Sequence, residues 1–167
     1  GGDAVIAGLL ETNTTLKSLG FFSEGDEVFY EDLASALLSN STLQKLGFTT
    51  FGISEICSYL SPLFLALQVN HGLKELTVYG VDHMDEELRS AMELGLGDNA
   101  TLELVNLAGT MGHNDTSMWR EALSFLRTNK ALKTLNIMHY DHDVIESHAA
   151  TIRMEVLAML RENESLE

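Results

Sequence analysis

Hydrophobic and polar positions along this chain fall into one recurring phrase, an asparagine followed by apolar residues three, six and eight positions later. The copies run Asn13, Leu16, Leu19, Phe21; Asn40, Leu43, Leu46, Phe48; Asn70, Leu73, Leu76, Val78; Asn99, Leu102, Val105, Leu107; and Asn129, Leu132, Leu135, Ile137. A sixth opens at Asn163 and Leu166, and successive asparagines are 27, 30, 29, 30 and 34 residues apart. The chain is 45% apolar, so chance would fill every slot of the complete copies on the order of once in 10⁵ placements. The chain is built on an internal repeat.

Each phrase reads as a helix-to-strand junction. Asparagine tolerates the left-handed conformation that ends a helix, and the spaced apolar residues after it suit a short strand with one buried face. Between phrases, apolar residues return at helical spacing: Val28, Leu33, Leu37; Ile56, Leu60, Leu63, Leu67; Leu88, Ala91, Met92; Met118, Ala122, Phe125, Leu126; and Ile152, Val156, Met159, Leu160,. Capping residues precede them at Asp26 and Glu27, Ser54 and Glu55, Asp85 and Glu86, Thr116 and Ser117, and Asp143,. Pro62 either kinks the third helix or marks a new first turn,.

One strand and one helix cannot bury both of their apolar faces alone, so the units are expected to stack. The predicted fold is an α/β leucine-rich-repeat solenoid of about five to six repeats, a horseshoe arc with a parallel sheet on its concave side and helices on its convex side. Residues 1–167 are expected to form one domain, a fragment of a longer solenoid.

These phrases resemble the long leucine-rich repeats of the intracellular, ribonuclease-inhibitor-like type. That group includes ribonuclease inhibitor, cytosolic nucleotide-binding immune receptors, tropomodulin and the Ran GTPase-activating protein. The resemblance implies the fold and a protein partner. It also leads one to look for Asn, Cys or Thr three residues after the last apolar strand position. Here those positions hold Glu24, Phe51, Val81, Thr110 and Tyr140. Only Thr110 fits, so a polar ladder where the chain leaves the strands is expected to be largely missing.

With the strand apolars turned to the helices, the intervening residues face the concavity. They are Ser18, Gly20, Phe22; Lys45, Gly47, Thr49; Glu75, Thr77, Tyr79; Leu104, Asn106, Ala108; and Thr134, Asn136, Met138. Phe22, Tyr79, Leu104 and Met138 are unusually apolar for such positions, and exposed apolar groups rimmed by polar ones mark protein interfaces. The expected partner-binding set is Phe22, Lys45, Thr49, Glu75, Tyr79, Leu104, Asn106, Asn136 and Met138.

A net charge of −15 repels nucleic acid and anionic lipid, and no apolar run approaches the length of a membrane span. A single cysteine, Cys57, excludes an internal disulfide and fits a reducing, cytoplasmic setting; it reads as a small buried hydrophobe on its helix. Histidines and acids around His139–His148, and His83 beside Asp82 and Asp85, lack metal-ligand spacing, so no metal or cofactor is expected. Glycosylation triplets at Asn13, Asn40, Asn99 and Asn163 are by-products of the repeat, leaving Asn114 as the fifth,.

No catalytic motif appears, and the leading reading is a non-enzymatic protein-interaction module. Two alternatives carry specific chemistry. A GTPase-activating protein of the Ran-activator type would present an arginine at a repeat edge, but Arg89, Arg120, Arg127, Arg153 and Arg161 all fall in helical stretches. A tropomodulin-like actin-binding cap is the other. An open edge of a parallel sheet would also permit self-association.

Overall fold

The computed structural model describes residues 2–23, 26–50, 58–81, 84–107, 121 and 123–136, with 154, 157, 158 and 161. In chain order these form α1 (Gly2–Thr12), β1 (Ser18–Ser23), α2 (Glu27–Ser39), β2 (Lys45–Thr50), a 3-10 turn (Ser58–Leu60), α3 (Ser61–Leu67), β3 (Glu75–Tyr79), α4 (Glu86–Gly97), β4 (Leu104–Asn106), a second 3-10 turn (Leu123–Arg127) and β5 (Thr134–Asn136). The five strands make one parallel sheet in the order β1-β2-β3-β4-β5. Parallel neighbours require a crossover, and here the helical segments supply it. The helices pack in sequence, α1 on α2, α2 on α3, α3 on α4, and α4 on the second 3-10 turn.

The register places equivalent phrase positions side by side: Leu19, Leu46, Leu76, Val105 and Leu135 form one row, and Phe21, Phe48 and Val78 the next. Between sheet and helices these rows meet Leu33, Leu37, Leu63, Leu67, Leu88, Met92 and Leu96, all buried. At the β1 end the core is aromatic. The Phe21 ring stacks on Phe48 at 5.6 Å and meets Phe29 edge-on at 5.8 Å. Tyr30 is fully buried, and its hydroxyl donates to Ser23 Oγ at 3.3 Å.

The phrase asparagines do not end helices in the left-handed conformation expected of them. Asn40 is extended (φ −85°, ψ 114°), and among the described residues only Gly80 has a positive φ. The side chain carries the function. Asn70 Nδ2 donates to the Leu37 carbonyl at 2.6 Å and to the Asn40 carbonyl at 2.9 Å, while its Oδ1 accepts from the amides of Gly72 and Leu73. Asn40 repeats the pattern on Leu10 and Asn13, Asn99 on Leu67 and Asn70, and Asn129 on Leu96 and Asn99. One carbonyl of each pair belongs to the last turn of the preceding unit's helix, where main-chain oxygens have no partner within the helix. A buried asparagine ladder therefore joins each unit to the one before it. Of the five strand-exit positions, only Val81 lies among the described residues, and it is buried.

Helix starts follow the sequence where they are described. Asp26 accepts from the Phe29 amide at 3.1 Å and Asp85 from the Leu88 amide at 2.7 Å, each satisfying an otherwise unpaired donor. Pro62 sits in the first turn of α3, where a missing N–H costs nothing, so it opens a helix and does not kink one. Two expectations are corrected. Val28 is 61% exposed; five residues before Leu33, it lies about 140° around the helix from it, and Phe29 and Tyr30 take the buried face. Phe125 and Leu126 are buried as expected, but in a 3-10 turn and not an α-helix. Ser54, Glu55, Ile56, Cys57, Thr116, Ser117, Met118, Ala122 and Asp143, and all four residues of the last helical pattern, Ile152, Val156, Met159 and Leu160, lie outside the described residues.

Candidate functional site

The sheet face turned away from the helices is organised by the same register. Its first row is Ser18, Lys45, Glu75, Leu104 and Thr134, its second Gly20, Gly47, Thr77, Asn106 and Asn136, and its third Phe22, Thr49 and Tyr79. Eight of the nine residues expected to contact a partner therefore stand on one surface. Met138, the ninth, lies outside the described residues, as does Ala108.

Their environments differ more than alternation alone implies. Phe22 is 76% exposed, the most open large apolar side chain among the described residues. Tyr79 and Leu104 are half-buried, because each stands within the sheet with neighbours on both sides. Asn106 Nδ2 donates to the Tyr79 hydroxyl at 3.2 Å, tying β4 to β3 across the open face. In the first row, Lys45 Nζ lies 2.7 Å from Glu75 Oε1. Both pairings follow from register, because residues opposite or diagonal on neighbouring strands come within side-chain reach. The middle row begins with two glycines, so the β1–β2 end of the face is shallow, and Phe22 stands at its corner.

Two other charged clusters are paired off this face. On α4, Arg89 is held by Glu86, by Glu93 at 3.2 Å and by Glu121 at 3.7 Å. The hydrogen bond from Arg89 holds the Glu86 carboxyl below its usual range, and the guanidinium is correspondingly harder to deprotonate. At the start of β5, Lys133 Nζ lies 3.1 Å from Glu103 Oε2. That hydrogen bond and the charges of Lys133 and Lys74 lower the Glu103 carboxyl in the same way.

Among the described residues no group of three or more His, Cys, Asp or Glu side chains converges as metal ligands, and no helix is long and apolar enough to cross a membrane. The histidines and acids between His139 and His148, together with His83, lie outside the described residues.

No protein-family model matches the chain, and no curated protein sequence matches it. Its fold is shared with solved structures. The tropomodulin C-terminal domain of Caenorhabditis elegans superposes with a TM-score of 0.69 at 15% identity, over 98% of this chain and 93% of that one. The leiomodin-1 domain described as actin-binding site 2 superposes with a TM-score of 0.63 at 16% identity, over 97% of this chain and 87% of that one. At such identities the likeness speaks to the fold, and this chain has the mixed α/β, leucine-rich-repeat-like architecture of those domains.

Proposed function

We propose that the chain is a non-catalytic, intracellular leucine-rich-repeat solenoid of about five to six repeats that binds actin, with the open, concave sheet face as its contact surface. The observation that carries the reading is the extent of the likeness: nearly the whole chain superposes on a domain designated an actin-binding site, and nearly all of that domain is covered in return. The open face supports it locally. It joins an exposed aromatic, Phe22, to a half-buried aromatic, Tyr79, and a cross-strand ion pair, Lys45–Glu75, and aromatic anchors within a polar rim are the usual anatomy of a protein interface. The GTPase-activating alternative has less behind it, since Arg89 is engaged by three carboxylates and is not free to reach a nucleotide.

Co-sedimentation with actin filaments, and titration of labelled monomeric actin, test the reading. The chain should bind at least one form of actin, and Phe22→Ser should weaken that binding by roughly tenfold, as expected for an exposed anchor, without changing the melting temperature. Absence of binding to both forms would overturn the actin assignment. Binding that Phe22→Ser and Tyr79→Ser both leave intact would move the contact off this face.

A further inference from the structure

The distribution of positive charge along the start of the strands marks a second surface. All five lysines of the chain, Lys17, Lys45, Lys74, Lys130 and Lys133, lie within the five residues that follow a phrase asparagine. In the five complete phrases those segments also hold two acids, Glu75 and Glu103, so together they carry +3 in a chain of net −15. The rest of the molecule is correspondingly more acidic, with carboxylates gathered at the opposite end of two units, at Asp26 and Glu27 and at Asp85, Glu86 and Glu87.

The main chain sets these lysines in a row. The Lys17 carbonyl accepts from the amides of Gln44 and Lys45, the Gln44 carbonyl from Lys74 and Glu75, the Lys74 carbonyl from Glu103 and Leu104, and the Glu103 carbonyl from Lys133 and Thr134. Lys17, Gln44, Lys74, Glu103 and Lys133 thus succeed one another from strand to strand, and the three lysines are exposed. With strands about 4.8 Å apart, Lys17, Lys74 and Lys133 follow at roughly 10 Å intervals along an edge of roughly 19 Å. Internal neutralisation is partial: Lys45 pairs with Glu75 and Lys133 with Glu103, whereas no ion pair forms at Lys17, Lys74 or Lys130 among the described residues.

We infer that this strand-start edge, which borders the first row of the open sheet face, is a docking strip for an acidic, extended segment of a partner protein. An interval of about 10 Å equals three residues of extended chain, so carboxylates spaced along such a segment reach successive lysines. The strip is one residue row wide and bordered by a strongly acidic body. A narrow polypeptide can follow it, while a planar anionic membrane or a nucleic-acid duplex would bring its other charges against the carboxylates. The inference holds whether or not actin is the partner at the open face.

Fluorescence anisotropy with a labelled oligoglutamate peptide tests it, using an oligolysine peptide and vesicles of equimolar phosphatidylcholine and phosphatidylserine as comparisons. Oligoglutamate should bind, and its affinity should fall steeply with added salt. Reversing both charges in Lys17→Glu/Lys74→Glu should weaken binding by roughly tenfold or more, and Glu103→Gln should tighten it. Phe22→Ser should leave it unchanged. Preference for oligolysine or for the vesicles, or an affinity insensitive to both the lysine reversal and Glu103→Gln, would overturn the proposal.

Discussion

Asn99 reaches back 32 residues to donate its side-chain amide to the Leu67 carbonyl at 2.6 Å, closing the last turn of α3 from the following unit. The same bond recurs from Asn70 to Leu37 and from Asn129 to Leu96. The most regular polar residue in the sequence is therefore also the main polar link between successive units.

Replacing one of these asparagines should cost far more than a surface change. Asn70 is 3% exposed and makes four hydrogen bonds to main-chain groups. Asn70→Ala leaves two amides and two carbonyls to find partners in a buried setting, so a loss of about 2–4 kcal/mol is expected in chemical denaturation. Asn70→Asp separates the two halves of the role. An aspartate still accepts from Gly72 and Leu73, but it places a charge against the Leu37 and Asn40 carbonyls, so its deficit should shrink at acid pH, where the carboxyl regains a donor. A variant whose stability deficit is independent of pH would show that the donor side of the ladder is not what holds the units together.

Two helical glycines should respond to alanine in opposite directions. A Cβ on Gly8, in α1, meets nothing within 4 Å, so Gly8→Ala should stabilise by about 0.5–1 kcal/mol through helix propensity alone. On Gly95, in α4, a Cβ would overlap the Phe64 carbonyl of α3. The gain in propensity is then outweighed by the separation forced on two packed helices, and Gly95→Ala should cost about 1–3 kcal/mol. Thermal melts of the two variants against the parent protein check the contrast.

The parts of the fold visible in sequence are those set by periodicity. Apolar residues at fixed offsets from each asparagine predict the strands and also the rows in which Leu46, Leu76 and Val105 meet, and eight residues of the candidate face lie on those strands. What lay beyond sequence depends on partners about thirty residues away. The asparagine could be read as a local helix terminator because nothing nearby reveals that its amide reaches the previous unit. Tyr79 and Leu104 read as exposed because alternation reports which face a residue occupies, not how closely its neighbours cover it. Val28 breaks the expected helical pattern because a five-residue step turns it away from the face that Leu33 buries,. Charge placement was legible in principle, since every lysine follows an asparagine closely, but only the register turns that spacing into a row.

Acid should loosen the strand-start edge. The Lys133 hydrogen bond lowers the Glu103 carboxyl, aided by the charges of Lys133 and Lys74. A group whose folded value lies below its unfolded value of about 4.3 contributes stability above that value and loses it as pH falls through the folded one. Both partners are largely exposed, so the contribution is a small one. Stability measured as a function of pH should fall less steeply in Glu103→Gln than in the parent across that acid window, and the two profiles should run parallel near neutral pH.

The glycosylation triplets at Asn40 and Asn99 give a sharper test of the ladder, because the modified atom is the one that does the linking. Asn40 Nδ2 is bound to the carbonyls of Leu10 and Asn13, and Asn99 Nδ2 to those of Leu67 and Asn70, with both side chains almost wholly buried. A glycan there would replace one of the two Nδ2 hydrogens, so one of the two carbonyls would lose its donor, and it would require space that the stacked units occupy. At Asn13 the side chain is only half-buried, and its Oδ1 caps the amides of Thr15 and Leu16, so the same modification is far less disruptive. If the chain is routed through a secretory pathway, the folded monomeric fraction should therefore carry no glycan at Asn40 or Asn99, and chains modified at either should appear among the aggregates. Glycopeptide mapping of the two fractions decides it. Folded, monomeric protein modified at Asn99 would mean that the unit joint tolerates a glycan and the loss of a central hydrogen bond.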